Sequence, residues 1–278
     1  MTFVTPTVAN IMARAFAMAR RRLELLILLG LLSGILSSIV YTPASKVLDA
    51  LFTALEKAEQ TGGTMTEAAR ILNEGASTLL MGQVMVTLVA TFLLVPWARA
   101  AAPGGLVPND GGLPAFLRRG VRSFLHMLAA HGMTVLIILF VMPLAAMIGS
   151  FLGPFGPFLI MIAVMAMIWI TMALIGTANL AIAAEARDRR ETLFSAWVRA
   201  RLFIRPIVGS LSALFLLLMF ADLLIEGLIV SILPAGIART LSSAAGGALI
   251  YAISALHIAG IYVVPDFRDL RPDDLTSA

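Results

Sequence analysis

Six apolar runs, each about as long as the hydrocarbon core of a bilayer is thick, constrain this chain more than any motif in it. They are Leu23–Tyr41, Thr78–Trp97, Leu128–Ile148, Phe158–Ala183, Pro206–Leu233 and Ser243–Val264. A spanning helix needs about 20 mostly apolar residues, and none of the six alternates as a barrel strand does. Of the 278 residues, 60% are hydrophobic and only 13% charged, where a soluble domain carries roughly 25% charged. A soluble globule, a disordered chain and a collagen-like chain are excluded. The fold class expected is an all-α integral membrane protein with six transmembrane helices in one polytopic domain over residues 1–278. Within it, residues 1–22 read as an amphipathic helix, 44–76 as an outer helical hairpin and 265–278 as a solvated tail. Pro143 inside the third run removes a backbone donor and is expected to kink that helix.

The charged minority sets the orientation. Of 20 Lys and Arg residues, sixteen fall in the N-terminus, the 99–122 loop, the 185–205 loop and the tail. Only Lys46, Lys57, Arg70 and Arg239 fall on the other side. Cytoplasmic loops carry the excess of basic residues, so both termini are expected in the cytoplasm of a bacterial inner membrane. The first run reads as an uncleaved signal anchor, because no A-x-A site follows it. In the outer segment, Val47, Leu48, Leu51, Phe52 and Leu55 repeat at helical spacing. Thr61-Gly62-Gly63 breaks that helix, and Thr64 with Glu67 offers a capping box for a second one. The hairpin so formed is expected to lie on the outer face or to cap the bundle.

Three stretches before the first, third and fifth runs look alike. Ala15-Phe16 leads into Arg20, Arg21 and Arg22; Ala115-Phe116 into Arg118, Arg119 and Arg122; Ala196-Trp197 into Arg199, Arg201 and Arg205. Each reads as a basic amphipathic helix with its arginines on anionic lipid headgroups, starting at Thr5-Pro6 in the first copy and at Asp188 with Glu191 in the third. In the second copy, Phe116, Leu117, Val121 and Phe124 are expected to form an apolar face lying in the acyl boundary, with the arginines turned away. The pattern fits three two-helix repeats, or convergence on the basic flank that every inward helix end needs. Repeats of two spans are parallel, which removes the inverted-repeat transporter layout. The proline-acid-basic motif of mitochondrial carriers is missing.

On the Ala15–Leu26 stretch, the Phe116–Phe124 basic helix and the run from Glu185 to Phe203, the chain resembles a bacterial six-span membrane-domain-like family related to glycerophosphoryl diester phosphodiesterases. In that family the membrane part is sometimes joined to a soluble phosphodiesterase domain. No acid/histidine constellation for such a domain is found here. The resemblance therefore implies a membrane module and not the hydrolase activity.

Residues for chemistry are few. Asp222 and Glu226 share one face of the fifth run, and ionisable groups inside a membrane usually mark function. At about 1.5 Å per residue from Pro206, Asp222 lies roughly 24 Å up a ~30 Å core. The pair reads either as interfacial, answered by Arg239, or with Asn179 as part of a proton or cation path. His131 and His257 lie at similar depths, so their rings meet if the third and sixth helices are neighbours, as a haem or pigment site requires; ordinary hydrogen bonding is the simpler reading. Gly30 and Gly34, and Gly247 with Ala252, are small residues at helix-packing spacing. Met161, Met165, Met167 and Met172 read as adaptable packing.

There is no cysteine, hence no thiolate site, and no Walker loop, HExxH or nucleophile elbow is present. No cofactor, metal or nucleic acid is expected. The reading reached is a non-catalytic membrane scaffold, assembly factor or accessory subunit. Its partners are anionic lipid and either another membrane protein or a second copy of the chain. The alternative is a transporter or lipid-handling protein.

Overall fold

The computed structural model describes residues 6–61, 66–104 and 111–264. It is all-helical among those residues, with eight α-helices and two short 3-10 turns. The helices are α1 (Val8–Arg21), α2 (Leu23–Thr61), α3 (Thr66–Ala101), α4 (Gly112–Phe151), α5 (Gly156–Ala186), α6 (Leu193–Ala200), α7 (Ile204–Ile232) and α8 (Ala235–Ile261). Six stretches are long and apolar enough to cross a membrane, and they carry the six apolar runs in order. This is an all-α, multi-pass membrane fold.

Three helices outrun the bilayer. At about 1.5 Å per residue, the 39, 36 and 40 residues of α2, α3 and α4 are roughly 54–60 Å long, against a ~30 Å hydrocarbon core. Residues 44–61 and 66–76 continue α2 and α3, so the two helices of the expected hairpin are the ends of the long helices themselves. Thr64 of the expected capping box lies outside the described residues. Proline does not end these helices either: Pro43, Pro96 and Pro143 all lie inside them.

Close packing gathers at one end of the bundle, which holds the 99–104 and 185–205 segments and is here called the basic end. In α5 the buried residues run from Ala173 to Ala186, with Gly156 alone beyond them. In α7 they stop at Leu214, and beyond it Leu216, Phe220, Leu223, Leu224 and Leu228 are exposed. The most extensive helix pairings are α4–α5, α2–α3, α7–α8 and α2–α8. At that last crossing the backbones nearly touch. A Cβ on Gly34 would overlap the Ala244 carbonyl, whereas one on Gly30 would meet its nearest atom, in Tyr251, at 3.7 Å.

The three basic stretches diverge. Thr7 caps α1 by accepting a hydrogen bond from the Asn10 N–H at 3.1 Å, two residues after Thr5. Ile11 and Ala15 are fully buried, so α1 is packed into the basic end against α7 and α8. Gly260 allows this, since a Cβ there would lie 2.5 Å from the Ile11 carbonyl oxygen. The third stretch starts on Thr192, whose hydroxyl and Ser195 form a reciprocal capping box, and not on Asp188. The second is no separate helix, because α4 runs unbroken from its basic segment into the membrane. Its inward face is Arg119, Ser123, Met127 and Ala130, while Leu117 and Val121 of the expected apolar face are exposed.

Candidate functional site

The C-terminal carbonyls of a helix lack intrahelical partners, and at the basic end they are met by side chains from other helices. Arg14 of α1 donates to the carbonyls of Ala259 (3.1 Å) and Ala101 (3.4 Å). The Tyr262 hydroxyl donates to Ala98 at 2.7 Å, with the guanidinium carbons of Arg187 and Arg14 standing 5.3 and 5.9 Å from the centre of its ring. Arg99 at the end of α3 donates to Ala186 at the end of α5, 2.7 Å away. A helix C-terminus carries partial negative charge, so cations here satisfy both the hydrogen bond and the field.

Asp188 is the hub. The chain leaves α5 through a left-handed turn at this residue, φ 59°, a conformation Asp tolerates better than most. Its carboxylate accepts two hydrogen bonds from Arg119 (Nε 2.8 Å, Nη2 2.9 Å) and one from Arg99 (3.1 Å). Arg118 lies 3.9 Å off. Arg119 and Arg99 are nearly fully enclosed, while the Asp188 side chain is 44% exposed. The Arg119 hydrogen bonds, and after them Arg99, hold the Asp188 carboxyl below its ordinary range against the opposing effect of burial. Beside it, buried Glu185 lies 3.4 Å from Arg122, and Glu191 lies 2.7 Å from buried Arg199.

These contacts divide the nine arginines expected at headgroups. Arg20, Arg21, Arg22, Arg118, Arg201 and Arg205 are exposed and Arg122 is half-buried. Arg119 and Arg199 are turned inward and engaged by carboxylates, contrary to that expectation. A guanidinium tolerates this position because its fork of donors can be matched by a carboxylate and nearby carbonyls.

A second polar group sits deeper in the packed half. The Asn179 amide nitrogen lies 3.0 Å from His257 Nδ1, and His257 Nε2 lies 3.2 Å from the Ile207 carbonyl. A neutral ring with its proton on Nε2 satisfies both contacts, donating to Ile207 and accepting from Asn179. All three residues are fully enclosed, and the Asn179 carbonyl oxygen has no protein partner. Close by, the Trp97 indole donates to the Ala255 carbonyl at 2.5 Å and the Tyr251 hydroxyl to Leu93 at 3.1 Å. His131 instead contacts the Met127 carbonyl of its own helix at 2.9 Å. The two histidines thus have separate surroundings, and among the described residues no group of three or more His, Asp or Glu could hold a metal ion.

Asp222 and Glu226 line a groove of about 600 Å³ near the far end of α7 and α8, with Ser242, Ser243, Val230 and Ala238. Asp222 is half-buried and Glu226 exposed. Asn179 does not line this groove; it bonds to His257, whose ring contacts Ile207, fifteen residues or roughly 22 Å along α7 from Asp222. The side chain of Arg239 lies outside the described residues. No protein-family model, curated protein or solved structure matches this chain.

Proposed function

We propose that the chain is a non-catalytic module of a bacterial inner membrane, with both termini cytoplasmic, acting as a scaffold or accessory subunit. This places it with the membrane modules it resembles in sequence pattern. The observation that carries the reading is how the buried polar groups are used. Asn179 and His257 are enclosed in the packed half and bonded to each other and to backbone. Asp188, Arg99 and Arg119 tie the ends of α3, α4 and α5 together. A site for chemistry needs groups converging on space for a substrate; the Asn179–His257 pair is enclosed, and the Asp188 carboxylate, which borders a pocket, is already bonded to Arg119 and Arg99. Such groups fix the relative positions of helices.

The test is purification of the tagged chain in mild detergent, with mass spectrometry of what accompanies it. The scaffold reading expects a membrane protein held at constant ratio through successive columns. A chain that elutes alone, before and after cross-linking in native membranes, overturns it. A transport or lipid-handling role is the second reading, favoured by the groove at Asp222 and Glu226. It expects solute movement across proteoliposomes that Asp222→Asn abolishes while the protein stays folded.

A further inference from the structure

Between α4 and the turn after α5 lies a polar pocket of about 230 Å³, lined by Arg118, Arg119, Arg122, Arg190, Glu185 and Asp188. Four guanidiniums face two carboxylates, so the pocket carries net positive charge. The carboxylates do not use up the cations. Asp188 is taken chiefly by Arg119 and Arg99. Arg118 is 3.9 Å from Asp188 and 57% exposed, and Arg122 reaches Glu185 only at 3.4 Å. Charge-assisted N–H···O bonds are ordinarily about 2.7–2.9 Å, so these two arginines have most of their donors in hand. Arg190 stands exposed on the same rim. The buried Arg119–Asp188 pair beneath them fixes the turn on which Arg190 is carried.

An adjoining cavity of about 350 Å³ shares Arg122, Glu185 and Arg190 and adds Leu125, Leu193, His126, Thr192 and Glu191, the last held by Arg199 at 2.7 Å. Leu125 is 53% exposed on the same helical face as Leu117 and Val121, the face that α4 carries into the membrane. Cationic donors and an apolar wall thus meet where the helices leave the hydrocarbon.

We propose that these two cavities form one site for a phosphate-bearing lipid. Arg118, Arg122 and Arg190 hold the phosphate oxygens, and Leu125 and Leu193 lie along the start of the acyl chains. Planar guanidiniums suit phosphate because they donate in pairs. The site is distinct from a diffuse attraction of basic residues to a charged surface, since it needs particular arginines. It does not depend on the scaffold reading.

The test is native mass spectrometry of the full chain, delipidated in non-ionic detergent and titrated with dioleoyl phosphatidylglycerol, dioleoylglycerol or inorganic phosphate. One phosphatidylglycerol per chain is expected. Affinity should fall roughly tenfold or more in Arg122→Gln/Arg190→Gln, the loss of two charge-assisted contacts, and stay unchanged in Arg21→Gln/Arg22→Gln. Equal losses in the two double variants would reduce the binding to diffuse charge and overturn the site. Equal retention of dioleoylglycerol would make the apolar wall sufficient and overturn the role of the arginines. Inorganic phosphate binding as tightly as the lipid would assign the pocket to a soluble anion instead. Arg190→Gln alone, on an exposed residue, decides the matter if the double variant does not elute as a single folded species.

Discussion

Replacing Asp188 by Ala removes the acceptor that answers two enclosed arginines. Breaking a buried ion pair from one side costs about 3–5 kcal/mol, but an exposed pair contributes only ~0–1 kcal/mol. Asp188 is 44% exposed while Arg119 and Arg99 are enclosed, and Arg99 keeps its bond to Ala186. A loss of about 2 kcal/mol follows, seen as a thermal midpoint several degrees lower when unfolding in detergent is followed by tryptophan fluorescence. Trp97 is fully buried and reports opening of the same packed end. Arg119→Met alone should also destabilise, yet Asp188→Ala/Arg119→Met should recover part of the loss, because a buried pair replaced on both sides no longer leaves a charge without its counterion.

The Asp188 carboxyl is held low in the folded protein, so its contribution is complete above the unfolded value of about 3.9. It is lost as pH falls below that value through the lower folded one. Wild type should thus lose its advantage over Asp188→Ala only in strong acid. A single variant within about 0.3 kcal/mol of wild type, or strictly additive losses in the double variant, would refute the hub.

Gly34→Leu should prevent tight α2–α8 packing and cost about 1–3 kcal/mol or more, read as aggregation or a lowered midpoint; Gly30→Ala should be near neutral, since its neighbours leave room. His257→Leu strips Asn179 of its partner and should cost about 1–3 kcal/mol, with Asn179→Leu/His257→Leu less harmful than the sum of the single changes, measured by the same unfolding assay. The chain has no cysteine, so introduced ones report topology cleanly. Lys57→Cys should react with a membrane-impermeant maleimide from outside intact cells, and Arg201→Cys only after permeabilisation; the reverse pattern would invert the proposed orientation.

The six helices were legible because length and apolarity are properties of a segment alone. Leu128–Ile148 needs no neighbour to declare itself as a span. Direction around a helix was less legible. Leu117 and Val121 read as an apolar face toward lipid and are exposed, but Arg119, expected to face away with its neighbours, turns inward to a carboxylate. Nothing local shows that the carboxylate is Asp188, 69 residues away, since ion pairing across a bundle depends on which helices are neighbours. The same holds for His257, whose partner is Asn179 on α5 and not the histidine at a matching depth on α4. Glycine spacing offered Gly34 as a contact, and only the placement of α2 against α8 shows what it meets.

The length of α2 has a mechanical meaning. One helix of 39 residues starts at the tightly packed end beside Leu29 and reaches Thr61, roughly 57 Å away along its axis. Together with α3 it forms a lever about twice as long as a ~30 Å hydrocarbon core. The crossing at Gly34 and Ala244 is its fulcrum, set where backbones touch and give little. A load on the distant arm of α2 would meet the weakened hydrogen bonding at Pro43 before it reached that crossing.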